Sequence, residues 1–507
     1  MLQTINAMFE NTARYEPGRI AVIFDDQQLN YKDLNSKINR LTHGLMGLGI
    51  KRGDFVLTLI PNSLNLLIVY HAVIRTGATV VPLNVMYTAH EIRYIGQDTG
   101  ASAIIADQDL WTSHAAVRVE LPSLQQVIIA KGEPAAGETK LDSLFTEKET
   151  APITNSEIDD IVSIIYTSGT TGRPKGATQT HRSILSNVMG CCTRNKFTRN
   201  DRFICALPLY NNFALNVVMM SAFFTGATLV GIDRFEARKV LDAIRIHRGT
   251  YFAGTSTMFS YLLMEYREDV DDVSSLQLTN SGGANCPGEI IRQVEKTFDV
   301  IHLDGYGQTE GCGFTTLNSR VGVRKENSVG TPLSNIFIKI FDENDNEVPM
   351  GTVGEIVIKG DAFSIHGYLN RPDANKNTNR NGWFHSGDLG YMDQDGYIFV
   401  VDRKNDLIIT GGQNIYPAEV EKELYTHPKV ALAAVVGVPD NVKGELAKAY
   451  IVLKKGESVS EKEIIDYIRG RIAKYKAPRL VEFVDTLPQG PTGKILKREL
   501  RNINKSS

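Results

Sequence analysis

Residues 166–176 read YTSGTTGRPKG. Six consecutive hydroxyl or glycine residues, Thr167, Ser168, Gly169, Thr170, Thr171 and Gly172, are followed by Arg173 and Lys175. Such a run has little use in a hydrophobic core. Its backbone bends freely at Gly169 and Gly172 and can present N–H groups to an anion, while Ser168, Thr170 and Thr171 donate hydroxyls. Lys175 adds a mobile positive charge. Together these are the parts of a polyphosphate cradle. The preceding apolar run, residues 161–166, reads as a strand, which sets the cradle at a strand end. The Walker pattern is not present, because Pro174 separates Arg173 from Lys175 and Gly176 follows. An ordinary Gly/Thr surface turn is the alternative, and the length of the run with its basic end argues against it.

Outward from this loop, the chain alternates short apolar runs with helix-like segments. Residues 21–24, Phe55–Leu59, Thr79–Pro82 and residues 103–106 read as strands. Residues 31–48 and 63–76 read as helices, the second entered through Asn62 and Ser63. The alternation predicts an α/β architecture with several sheets. Residues 131–156, rich in Glu, Gly and Pro, read as an exposed connection. Near residue 400 the character changes. A helix over 418–427, strands over 430–436 and 447–454 and a helix over 461–473 predict a small C-terminal α+β domain. The polar join Asp402-Arg403-Lys404-Asn405-Asp406 suits a hinge, giving domains 1–403 and 404–507.

At 507 residues the chain is too long for one compact core. Hydrophobic content of 42% and charged content of 22% are those of a soluble globular protein. A net charge of −3 and pI near 6.4 give no electrostatic footprint for nucleic acid. Five scattered cysteines without metal-ligand spacing suit a reducing, cytoplasmic compartment. The first 14 residues carry Glu10 and no continuous apolar run, so no signal peptide is expected. Residues 203–232 lack charge, but Pro208, Asn211, Asn212, Asn216 and Gly226 interrupt them. They read as a strand, a helix over 214–224 and a second strand, Thr228–Gly231, leaving at most peripheral membrane contact.

Four further strings carry chemistry. In Asp304-Gly305-Tyr306-Gly307-Gln308-Thr309-Glu310, glycines flanking a tyrosine let a planar base lie on the ring, and a carboxylate beyond can hold Mg²⁺ beside phosphates. In residues 382–390, GWFHSGDLG, Asp388 in a glycine-bounded turn suits bidentate acceptance from a ribose diol. His385 there reads as a packing or loop-capping residue. In residues 402–421, Gly411 and Gly412 allow close backbone approach, and Pro417 with Glu419 reads as a helix start. The tail string, residues 487–496, LPQGPTGKIL, presents Lys494 from a Gly/Pro/Thr turn.

These five strings, in order and spanning most of the chain, resemble the signatures of the adenylate-forming enzymes: acyl-CoA synthetases, nonribosomal adenylation domains and beetle luciferases. The GGQNIYPAEVE form is most similar to that of acyl-CoA ligases. The resemblance implies a large N-terminal α/β domain and a small mobile C-terminal domain. It implies an acid–thiol ligase that forms acyl-AMP from ATP and an acid, fatty or otherwise acyl, then passes the acyl group to CoA.

The resemblance assigns roles residue by residue. ATP and AMP are held by the 167–172 cradle, Gly283, Ala284, Asp304, Gly305, Tyr306, Gly307, Thr309, Asp388, Arg403 and Lys494. Tyr306 stacks on adenine, Asp388 takes the ribose and Thr309 meets the α-phosphate. Glu310 with Thr170 holds Mg²⁺. Lys494, Thr309, Glu310 and Lys175 are catalytic. Tyr210, Asn211, Phe213, Thr257, Gly282 and Gly311 line the acyl pocket, Gly411 and Gly412 the pantetheine path, and Asn405 is the hinge. Asn211 and Asn405 replace the histidine and the lysine or aspartate usual in relatives, and Ser256 replaces a proline. Delivery to a carrier protein's phosphopantetheine thiol and an inactive nucleotide-binding relative are the alternatives. A homodimer stays open.

Overall fold

A computed structural model describes residues 4–167, 174–490 and 493–503. The residues of the cradle from Ser168 to Arg173, Thr170 among them, and Pro491 and Thr492 of the tail string lie outside this set. Among the described residues the strands assemble into four sheets. One orders Thr139–Lys140, Gln126–Lys131, Ala103–Asp107, Phe55–Leu59, Thr79–Pro82, Ile161–Thr167 and Lys175–Thr180. Its central pairs are parallel, and Ile161–Thr167 with Lys175–Thr180 forms an antiparallel edge.

The second, larger sheet runs in parallel through Ile301–Gln308, Leu278–Ser281, Tyr251–Gly254, Arg202–Cys205, Thr228–Gly231 and Ile20–Phe24. Thr79–Pro82 and Thr228–Gly231 are buried at every residue, as expected of strands covered on both faces. Between the sheets lies the helix Leu64–Thr76, started by Ser63, whose side chain accepts from Leu66 N. Nearly all its residues are buried, and one apolar cluster runs from it into both sheets.

Three sequence expectations are corrected. Residues 131–156 are not simply an exposed connection: Thr139–Lys140 joins the first sheet, and Leu141 and Leu144 sit in the core. The helix expected over 214–224 is a π-helix, Phe213–Met220, followed by a short α-helix, Ser221–Thr225. Asp388 occupies a strand, Trp383–Met392, rather than a turn.

A third sheet, built on Ile336–Phe341, Gly354–Gly360, Trp383–Met392 and Ile398–Arg403, leads to the exposed turn of Asn405. Beyond it a fourth sheet pairs Val430–Asp440 with Gly444–Leu453 and is backed by the helices Pro417–Tyr425 and Glu461–Arg469. Its own apolar cluster, including Ile408, Val420, Val435, Ile451 and Ile464, is separate from the large one. Among the described residues, no helix is long and apolar enough to cross a membrane.

Candidate active site

Parallel strands deliver their carboxyl ends to one side of a sheet, where loops meet a ligand. Leu278–Ser281 and Ile301–Gln308 are in register so that Ser281 lies beside Asp304. Ser281 Oγ donates to Asp304 Oδ1 across 2.6 Å, His302 Nε2 lies 2.8 Å from the same hydroxyl, and Thr279 Oγ1 lies 2.8 Å from His302 Nδ1. Burial raises the Asp304 carboxyl to about 7, opposed by the Ser281 hydroxyl and the Gly305 N–H. Burial lowers His302 to about 3, so its imidazole is neutral at pH 7.

Beyond Asp304 the strand carries Tyr306, whose ring stays partly exposed. The flanking glycines have a packing reason that spacing did not reveal. A Cβ at Gly307 would lie 1.9 Å from Gly313 O, and one at Gly305 would meet the Phe314 ring at 2.7 Å. Tyr306 Oη donates to Asp388 Oδ2 at 2.7 Å, and Arg403 Nε stands 3.4 Å from Asp388 Oδ1. Asp388 and Arg403 are cross-strand partners. Burial raises the Asp388 carboxyl, opposed first by Arg403 and then by the Tyr306 hydroxyl.

Into this cluster the tail inserts Lys494. Gly490 N donates to Lys494 O at 2.8 Å, closing a tight loop, and Gln489 Nε2 reaches Tyr261 Oη at 3.1 Å on the helix Ser256–Glu265. At Gly493, φ is +75° and a Cβ would meet Thr255 Oγ1 at 3.1 Å, so a residue without a side chain suits that position. Ser256, where the family resemblance implies a proline, is the first residue of that helix, and Thr255 caps it. Burial lowers Lys494 to about 8; Arg403 acts in the same direction, Asp388 and Asp406 in the opposite one. Gly411 and Gly412 lie elsewhere, exposed, with Gly411 N donating to Lys443 O at 2.8 Å.

Thr309 opens the short 3₁₀ turn Thr309–Gly311. Gln179 Nε2 donates to Thr309 O at 3.1 Å, and Asn187 Nδ2 donates to the carbonyls of Gly311 and Phe314 at 2.9 and 2.7 Å. The Asn212 amide meets Gln179 at 2.8 Å and Asn216 at 2.7 Å. These buried amides hold the turn against the π-helix, and sequence reasoning missed them because single amides carry no spacing signal.

Glu310 is met by Tyr368, whose Oη donates to Glu310 Oε1 at 2.5 Å, while Lys175 Nζ lies 5.3 Å from the Tyr368 ring centroid. Thr167 and Lys175 are paired across the edge of the first sheet. The described residues contain no cluster of three or more His, Cys, Asp or Glu that could enclose a metal. A single carboxylate still fits Mg²⁺, which binds through one or two carboxylates and completes its shell with substrate phosphates and water.

Around Gly282 the wall is aromatic. A Cβ there would lie 2.6 Å from Phe314 Cε1 and 3.3 Å from Phe213 Cε1, and the two rings meet edge-on at 5.2 Å. Tyr210 and Thr257 are buried, as is Gly311, whose Cβ would meet Thr315 and Phe363. Asn211 accepts from Leu215 N through its carbonyl, and its buried Nδ2 has no partner among the described residues. Gly283 is exposed at φ +77° and Ala284 half-buried. His385 is buried against Glu355 and Arg380, a packing position.

Side chains gathered near the carboxyl ends of these parallel strands, with a half-buried lysine supplied by the C-terminal tail, suit the class of adenylate-forming enzymes. The family model described as AMP-binding enzyme matches residues 9–369, and that described as AMP-binding enzyme C-terminal domain matches residues 419–494. The chain belongs to the AMP-binding enzyme family and is an AMP-forming acid–thiol ligase. It is 36% identical over 491 residues to a feruloyl-CoA synthase of an Amycolatopsis species, covering 96% of each chain. It is 34% identical to the long-chain-fatty-acid–CoA ligase FadD13 of Mycobacterium tuberculosis, covering 99% of this chain and 98% of the relative. The solved anthranilate CoA ligase AuaEII in complex with anthranoyl-AMP superposes with a TM-score of 0.94 at 26% identity, covering 100% of this chain and 98% of that one.

Proposed function

We propose that this protein joins a compact, aryl-bearing carboxylic acid to CoA through an acyl-AMP intermediate. The observation that carries the adenylating half is the tail loop seated on the helix Ser256–Glu265, which holds the half-buried Lys494 among the charges of Asp388, Arg403 and Asp406, a cation whose desolvation an anionic substrate offsets. The acid is already ionised at neutral pH and needs no base. Its carboxylate oxygen attacks the α-phosphorus of ATP, the bond to the bridging oxygen breaks, and pyrophosphate leaves. Lys494 and Thr309 face the charge developing on the α-phosphate, and Lys175 with the 167–172 cradle holds the departing pyrophosphate. Tyr306 and Asp304 take adenine, flanked by Gly283 and Ala284, while Asp388 and Arg403 take the ribose. Mg²⁺ on Glu310 would neutralise phosphate charge.

Rotation about Asn405 then withdraws Lys494 and brings in Gly411 and Gly412. The CoA thiol loses its proton to solvent, its sulfur attacks the acyl carbon, and the bond to AMP breaks. CoA is favoured over a carrier protein as the acceptor by the named activities of the similar proteins. Five buried, unpaired cysteines support a reducing, cytoplasmic setting.

The expectation of a fatty acid is narrowed here. The Phe213 and Phe314 rings closing on Gly282 favour a flat, short acyl group over a long flexible one, and relatives acting on ferulate and anthranilate support that size. The test is AMP release with CoA across benzoate, hydroxycinnamate and straight-chain acids. Hydroxycinnamate or benzoate should give the highest kcat/KM. Higher kcat/KM with long-chain acids would overturn the aryl assignment, and no acid-dependent pyrophosphate exchange with any acid would overturn the ligase reading itself.

A further inference from the structure

We infer that Tyr368 is a positioning residue that fixes the Glu310 carboxylate for the metal and ties it to Lys175; this rests on the reading of Glu310 as the magnesium ligand. The backbone of Tyr368 is gripped twice by one side chain: Tyr368 N donates to Asn375 Oδ1 at 2.7 Å, and Asn375 Nδ2 donates to Tyr368 O at 2.9 Å. On its other side the segment adds to the edge strand Lys175–Thr180, with Leu369 N donating to Gly176 O at 2.9 Å and Thr178 N to Gly367 O at 3.0 Å. The side chain, 8% exposed, therefore has little freedom. Its hydroxyl donates to Glu310 Oε1.

One carboxylate oxygen is thus committed to the phenol, which leaves Oε2 for a cation. A partner held in this way orients a metal ligand, and removing such a partner costs about 10–100-fold in metal affinity. The same ring lies beside the Lys175 ammonium. Tyr368 joins the metal-binding carboxylate to the pyrophosphate lysine, two groups distant in sequence that act on adjoining phosphates.

The test is isothermal titration of ATP into the full-length protein over a range of Mg²⁺ concentrations, with Mn²⁺ binding in the presence of ATP followed by electron paramagnetic resonance. Tyr368→Phe keeps the ring beside Lys175 and removes only the donor. The Mg²⁺ concentration for half-maximal ATP binding should rise about tenfold, with ATP affinity at saturating Mg²⁺ unchanged. Asn375→Ala, which loosens the backbone grip on Tyr368 and keeps the phenol, should raise the same midpoint and serves as the second variant if the first melts early. An unchanged or lowered Mg²⁺ midpoint in Tyr368→Phe overturns the proposal. If wild-type ATP binding is independent of Mg²⁺ and Glu310→Gln leaves it unaltered, the metal reading of Glu310 itself is wrong and the proposal falls with it.

Discussion

Tyr306 Oη and Asp388 Oδ2 are joined by a 2.7 Å hydrogen bond that links the large parallel sheet to the antiparallel sheet leading to Asn405. The bond ties the expected adenine platform to the expected ribose acceptor, so each fixes the orientation of the other. Removing the hydroxyl with Tyr306→Phe leaves the ring and its packing. A hydrogen bond to a charged group contributes about 1.5–3 kcal/mol to stability, so the melting temperature should fall, and KM for ATP should rise as the ribose acceptor loses its orientation. An unaltered ATP KM would show that the two residues do not act as a unit.

Lys494→Ala should abolish acid-dependent pyrophosphate exchange while largely sparing thioester formation from preformed acyl-adenylate. Equal loss in both halves would sink the two-arrangement scheme. In wild type the lysine must be protonated to neutralise phosphate charge, and burial with Arg403 nearby brings it to about 8 despite Asp388 and Asp406. For the exchange reaction, kcat/KM for ATP should therefore fall as pH rises through about 8. A flat profile to pH 10 would contradict that assignment.

Asp304 carries an ionisation cost that the unfolded chain does not. Its folded carboxyl sits near 7 against 3.8 unfolded, so the stability it contributes is complete below about pH 4 and is lost as pH rises through 7. Asp304→Asn removes that dependence while keeping an acceptor for Ser281. At pH 8 the variant should melt about 2 °C or more above wild type, the gap closing toward pH 5, and should bind ATP more weakly. A gap independent of pH would remove Asp304 as its source.

Gly282→Ala places a methyl 2.6 Å from Phe314 Cε1, closer than real contacts allow. Overpacking of this kind costs about 1–3 kcal/mol of stability, so the variant should melt earlier, and kcat/KM for a hydroxycinnamate-sized acid should drop more than for benzoate. Adding Phe314→Leu should restore part of the loss. Equal activity on all acids would place the acyl pocket elsewhere.

The sequence by itself determined the α/β class, several strands of the two large sheets and of the C-terminal sheet, and the strings that contain Asp304, Asp388 and Lys494. These were legible because a glycine, hydroxyl or charge at a strand end interrupts an apolar period, and the interruption is local. The tertiary structure decided which of them meet. Lys494 comes within the electrostatic influence of Asp388 because Gln489 and Gly493 seat the tail against the helix Ser256–Glu265. Tyr368 reaches Glu310 only because its segment pairs with the strand Lys175–Thr180. The glycines at 305 and 307 look like room for a ligand in the sequence and prove to be room for neighbouring strands. The amides of Gln179, Asn187 and Asn212 have no pattern at all until folding sets them beside the carbonyls after Thr309. Local conformational preference is written into neighbouring residues, whereas burial, hydrogen-bond partners and the ionisation of Lys494 and Asp304 depend on groups brought close only by packing.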